Sequence, residues 1–168
     1  MALTYFALAK TTVGSGGASS ITISSIPSTY TDLAVFWSGR VDNTSAYYGQ
    51  FYFNGNTTGY RREGVSGNGS TTGNISALDT YTLIQNEGAY TANTFGSFFA
   101  YFPNYAGSTN KSWSVDAVTE TNATLSYQTF YAGLWSNTAA ITSITLVPNS
   151  LNFVQNSTVY VYGIKNTV

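Results

Sequence analysis

Cysteine and histidine are both missing from this 168-residue chain, and it has only three prolines and 8% charged residues. Without cysteine there can be no disulfide framework and no thiolate metal site. Without histidine the commonest general base, proton shuttle and metal ligand is gone, and with it any Ser-His-Asp triad or ordinary zinc centre. The scarcity of charge is as informative. Six basic and seven acidic residues make a charged fraction well below the roughly 25% of ordinary soluble domains, and they leave a formal net charge of -1. A surface made of Ser, Thr, Asn, Gly and Tyr has little self-repulsion, and low net charge favours association.

The positive residues Lys10, Arg40, Arg61, Arg62, Lys111 and Lys165 are scattered, with only Arg61 and Arg62 adjacent. A nucleic-acid binder needs a basic stripe to displace counterions from phosphates, so nucleic acid is not expected as a partner. No apolar run is long enough for a membrane-spanning helix. The stretch from Leu3 to Ala9 lacks the preceding positive charge and the length of a secretory leader, and reads as a first β-strand.

Carboxylates are what remains for catalysis. Asp116 and Glu120 share strand parity, but four residues of extended chain place them about 13 Å apart. That is too far for the acid pair of a glycoside hydrolase on a straight strand, and solvent-facing strand residues are the simpler reading. Asp42-Asn43, Asp79 and Glu87-Gly88 fall near expected turns, where such residues cap backbone groups. The oxygen spacing of a calcium loop is absent. Gly64, Gly67, Gly69 and Gly73 are not followed by the Lys-Ser/Thr and helix of a phosphate loop. The Asn-x-Ser/Thr triplets at Asn43, Asn56, Asn68 and Asn122 are expected by chance in so Asn- and Thr-rich a chain. No enzyme activity, cofactor or metal is expected.

What the chain does contain is aromatic residues, 14 Tyr, 10 Phe and 3 Trp, in a period of two. In 31–37, Leu33, Val35 and Trp37 share one face, with Ala34 and Phe36 on the other, which suggests a strand covered on both sides. The 93–102 stretch is also apolar on both faces. Further strands read at 47–53, 111–120, 125–135, 140–147, 151–155 and 158–165. Asn54-Gly55 suits the positive φ angles of a tight hairpin, and Gly64 to Gly73 reads as a soft surface loop. The expectation is a single all-β domain over 1–168: a two-sheet antiparallel sandwich, jelly-roll-like, of about ten strands with no substantial helix. Tyr60, Arg61 and Arg62 ahead of the glycine-rich segment are candidate partner or glycan contacts, because Tyr and Arg are favoured at interfaces; a simple Arg–Glu63 pair is the plainer alternative. Tyr105 is a candidate of the same kind.

Four stretches taken together carry a resemblance: 16–21 running into Ile26-Pro27-Ser28-Thr29-Tyr30-Thr31-Asp32-Leu33; Phe102-Pro103-Asn104-Tyr105-Ala106-Gly107-Ser108; Ala132-Gly133-Leu134-Trp135 running to 141–146; and Val161-Tyr162-Gly163-Ile164-Lys165. The pattern resembles a family of small virion surface proteins of tailed bacteriophages, especially those of cyanobacteria. The resemblance implies a jelly-roll-like domain on the particle exterior and brings no catalytic motif. With no fibre shaft attached, it suggests a capsid decoration (cement) protein that binds the major capsid protein, self-associates as a homotrimer and is assembled into the virion in the host cytoplasm. A tail- or baseplate-associated module binding a host glycan is the alternative.

Overall fold

The computed structural model describes residues 4–42, 48–79, 82–85, 94–120, 126–148 and 150–165. They form β1 (Tyr5–Thr12), β2 (Ile21–Ile23), β3 (Asp32–Gly39), β4 (Tyr48–Phe53), β5 (Tyr60–Gly67), β6 (Thr72–Asp79), β7 (Thr82–Gln85), β8 (Gly96–Phe102), β9 (Lys111–Glu120), β10 (Ser126–Trp135), β11 (Ile144–Val147) and β12 (Thr158–Ile164), with no helix among the described residues. An eight-stranded sheet runs β1-β12-β3-β8-β9-β10-β5-β6, and a smaller one runs β2-β11-β4-β7. Every ladder is antiparallel. The β-sandwich expected from the alternation is therefore present.

Period-two patterning explains how the sheets meet. Leu33, Val35 and Trp37 of β3, Phe98, Ala100 and Phe102 of β8, and Trp113, Val115 and Ala117 of β9 all point inward and are buried. From the smaller sheet, Ile21, Ile23, Ile144, Leu146, Phe51 and Phe53 point back at them. Phe53 sits at the centre, its ring 5.5 Å from Phe102, 5.3 Å from Trp113 and 5.4 Å from Trp135. Phe51 lies 5.7 Å from Trp113 and 5.8 Å from Phe102. Gly133 of β10 faces Trp113 of β9 across the ladder, and a Cβ there would fall 2.1 Å from the indole. The glycine makes room for that ring.

The Asn54-Gly55 turn is formed, with φ of 52° and 70° and a bond from Asn56 N to Phe53 O. It does not make the expected hairpin. β4 stays in the small sheet beside β11, while β5 crosses to the large sheet beside β10. Asn54 secures the crossing: its Oδ1 accepts from Thr142 N and Ser143 N, and its Nδ2 donates to Ala140 O at 2.7 Å. The expected soft loop at 64–73 is instead the end of β5, a turn, and the start of β6. Asn68 Oδ1 closes that turn by accepting from Ser70 N and Thr71 N. The 151–155 stretch is not a strand; Phe153 makes only isolated bridges to Ala18 and Val41. In β1, a bulge between Ala7 and Ala9 turns Leu8 toward the core.

Replacing Gly133 by Ala is expected to push Trp113 against its aromatic neighbours and lower stability by about 1–3 kcal/mol. Denaturant titration of the variant checks this; an unchanged midpoint would show that the indole can move freely.

Candidate interaction face

The four residues singled out in the sequence do not come together as a contact site. Tyr60 is an inward-facing residue of β5, 3% exposed. Its ring stacks on Trp135 at 6.0 Å, its hydroxyl donates to Asn56 O, and it accepts from Phe53 N. Burial raises its pKa beyond the usual tyrosine range. Tyr105 is 0% exposed and donates to Pro27 O. Neither ring is presented to a partner, which corrects the expectation for both. Arg62 is half-buried on the same inward parity as Tyr60. Arg61 is exposed and pairs with Glu63, Nη2 to Oε1 at 2.7 Å, the plainer alternative from the sequence. The Glu63 carboxylate is held below its ordinary pKa by the Ser76 hydroxyl first and by Arg61 second.

The turn-capping role expected of Asp42 is present. It accepts from Asn152 N and Nδ2, both at 2.8 Å, and the backbone bond from Asn152 is the main cause of its lowered pKa. Asn43, Glu87, Gly88 and Asn122 lie outside the described residues, as do the side chains of Asp79 and Glu120. Asn56 Oδ1 accepts from Thr58 N, an Asx turn. Among the described residues no group of three or more acidic side chains is placed to hold a metal.

Two buried charges were not anticipated. Lys111 is 1% exposed, and its Nζ donates to the carbonyls of Gly107, Thr109 and Thr138. It ties the 103–110 loop to the segment after β10, and desolvation lowers its pKa. Asp32 is also buried; it accepts from Tyr101 Oη at 2.8 Å and Asn104 N at 2.9 Å. Both fasten loops at one end of the sandwich.

The feature that the contact candidates missed lies on the other face of the large sheet. Strand register lines up Lys10, Tyr160, Phe36, Phe99, Asp116, Phe130, Val65 and Asn74 side by side, one from each of the eight strands in sheet order. Phe36 is 40% exposed, and Tyr5, Val65, Val118 and Phe130 are also open. The Phe36 and Phe99 rings are 4.9 Å apart, and Tyr162 meets Phe36 edge-on at 5.7 Å. The Lys10 ammonium lies 5.4 Å over the Tyr160 ring. The apolar residues on both faces of β3 suggest cover on both sides, and β8 is apolar on both faces as well. Among the described residues, the smaller sheet covers only the inner face. Contiguous aromatic surface of this kind marks an interaction site. Its sequence signal was the run of alternate positions left over once the core set was removed.

Neither any protein-family model nor any curated protein matches this chain. The fold defines it as an all-β sandwich, with one face of the large sheet left uncovered among the described residues.

The tyrosines set the alkaline limit of stability. The Asp32 carboxylate, with burial second, pushes Tyr101 up to about 12, and burial raises Tyr60 and Tyr105. The folded chain therefore holds these protons after the unfolded chain has lost them. The Tyr101 stabilisation is complete below the ordinary value of 10.0 and is lost as pH rises from there through about 12, and that of Tyr60 and Tyr105 falls in the same direction. Lys111, with its lowered pKa, acts in the opposite direction as pH approaches 10.5. Tyr101→Phe is expected to be less stable at neutral pH and to lose less stability on alkaline titration. Denaturation midpoints across that range check it; parallel curves for the two proteins would contradict it.

Proposed function

We propose that this chain is a non-enzymatic structural protein of a tailed-phage virion, a capsid decoration protein that binds major capsid subunits on the outer shell and stabilises them. The observation that carries the reading is the open aromatic face of the eight-stranded sheet, on a chain with too little charge to keep it apart from other surfaces. A lone soluble domain rarely leaves such a face bare, so the domain belongs to an assembly. The resemblance in sequence supplies which assembly, and the β-sandwich agrees with the fold that the resemblance implies.

In this role the domain works by contact area. It bridges neighbouring subunits and resists outward pressure from packaged DNA, with no bond made or broken. Specific, stable contacts need roughly 1,200–2,000 Å² of buried surface, which a rigid sandwich can present without ordering cost. The tail-module reading is less favoured, because Tyr60 and Tyr105, two of the rings offered for a glycan, are buried in the core.

Copy counting on purified particles tests the proposal. Copies in proportion to the capsomers are expected, and particles without the chain should release their DNA at lower temperature. A handful of copies per particle, located at the tail, would overturn it.

A further inference from the structure

The geometry points to a second copy of this chain as the occupant of the open face, packed sheet to sheet about a two-fold axis that runs along β3 at Phe36. This inference stands on the face itself and does not depend on the virion reading.

The argument is the order of side chains in the central row. From the β1 edge it runs Lys10, Tyr160, Phe36, Phe99, Asp116. Lys10 and Asp116 lie two strands to either side of Phe36, about 10 Å each way at the spacing of a sheet. An isologous contact sets each residue against its mirror position. With the axis on β3, Phe36 meets Phe36, Tyr160 meets Phe99, and Lys10 of each copy meets Asp116 of the other. Two ion pairs then close over an aromatic centre.

Two other placements fail on charge. An axis along the row itself would set Asp116 on Asp116 and Lys10 on Lys10. An axis at the middle of the eight strands would press Asp116 onto Phe99 and bury a carboxylate with no cation, which is strongly unfavourable.

The adjoining rows accept the same axis. Tyr162 and Tyr101 flank Ala34 on one side, and Thr158 and Ser97 flank Ser38 on the other. Across these three rows of β1, β12, β3, β8 and β9, Lys10 and Asp116 are the only charged residues; in the next row, Asp32 of β3 is buried and held by Tyr101 Oη and Asn104 N. Shape agrees as well. A hollow of about 400 Å³ lined by Tyr5, Phe36, Tyr160 and Tyr162 lies where the axis brings Phe99 of the other copy. Sheets pack face to face within about 30° of alignment, and the long Lys10 side chain spans that offset. Five strands over their full length offer about 600 Å² per copy, about 1,200 Å² for the pair, at the lower end for a stable specific interface. A two-fold pair uses up the β1-to-β9 part of the face and leaves the exposed Phe130 and Val65 for the capsid contact of the proposed function; the homotrimer that the resemblance implied would need a separate contact.

Sedimentation of the full chain at micromolar concentration, with charge exchange, tests the pairing. The native chain is expected to be a dimer. Lys10→Asp and Asp116→Lys should each raise the dissociation constant about tenfold or more, because each sets like charges together twice. Combining the two exchanges should restore the dimer. Both residues are exposed, so unchanged melting of the separated chains shows that the fold is intact; Lys10→Gln and Asp116→Asn serve if either exchange unfolds it, and each should weaken the pair. A monomeric native chain, a trimer indifferent to Asp116→Lys, or a combined variant as weak as the single ones would overturn the inference.

Discussion

Phe51 and Phe53, reaching from the small sheet into the rings of Phe98, Phe102, Trp113 and Trp135, are the contact on which the rest of the structure depends. Aromatic side chains bury 150–250 Å² each, and offset or edge-on pairs add about 0.5–1.5 kcal/mol beyond area. A chain with few charges and no disulfide relies on such rings to lock two sheets in register. The indole N–H groups of Trp37, Trp113 and Trp135 are buried without a hydrogen-bond partner among the described residues. Each such group costs about 1–3 kcal/mol, so the ring packing outweighs a substantial polar penalty. Lys111 and Asp32 then fasten the loops at one end with buried charge-assisted hydrogen bonds.

That same choice of residues explains the outer face. Strands β3, β8 and β12 carry apolar or aromatic side chains in both parities, and one small sheet can cover only one of them. Phe36, Phe99, Tyr160 and Tyr162 are left standing on the opposite surface, with Lys10 and Asp116 at fixed offsets along the row. A sandwich that only had to be soluble would place Ser, Thr and Lys at these positions. Nothing among the described residues covers these rings, and the contact proposed for them takes its direction from the two charges.

The sequence made β9, β10 and β12 legible almost to the residue, because strict alternation on a half-buried strand leaves little choice of register. It hid β5 and β6, where Gly64, Gly67, Gly69 and Gly73 look like loop composition, although antiparallel pairing at a sheet edge tolerates them. Asn54-Gly55 revealed its turn but not its destination, since a two-residue turn is silent about which sheet the next strand joins. The contact candidates failed for a related reason. Tyr60 was judged by its neighbours Arg61 and Arg62, whereas parity within β5 points it inward beneath Trp135. In the sequence the open face shows only as an expectation of two-sided cover on β3 and as apolar residues on both faces of β8. That the smaller sheet covers only the inner face among the described residues became visible in the tertiary structure alone.

Hydroxyl-radical footprinting of the purified chain over a dilution series tests most directly whether this face is a contact surface. The account predicts that Phe36 and Tyr160 are protected at high concentration and become reactive on dilution. Phe130, which shares the row but lies beyond the paired strands, should stay reactive throughout. Equal reactivity of Phe36 and Phe130 at every concentration would contradict it.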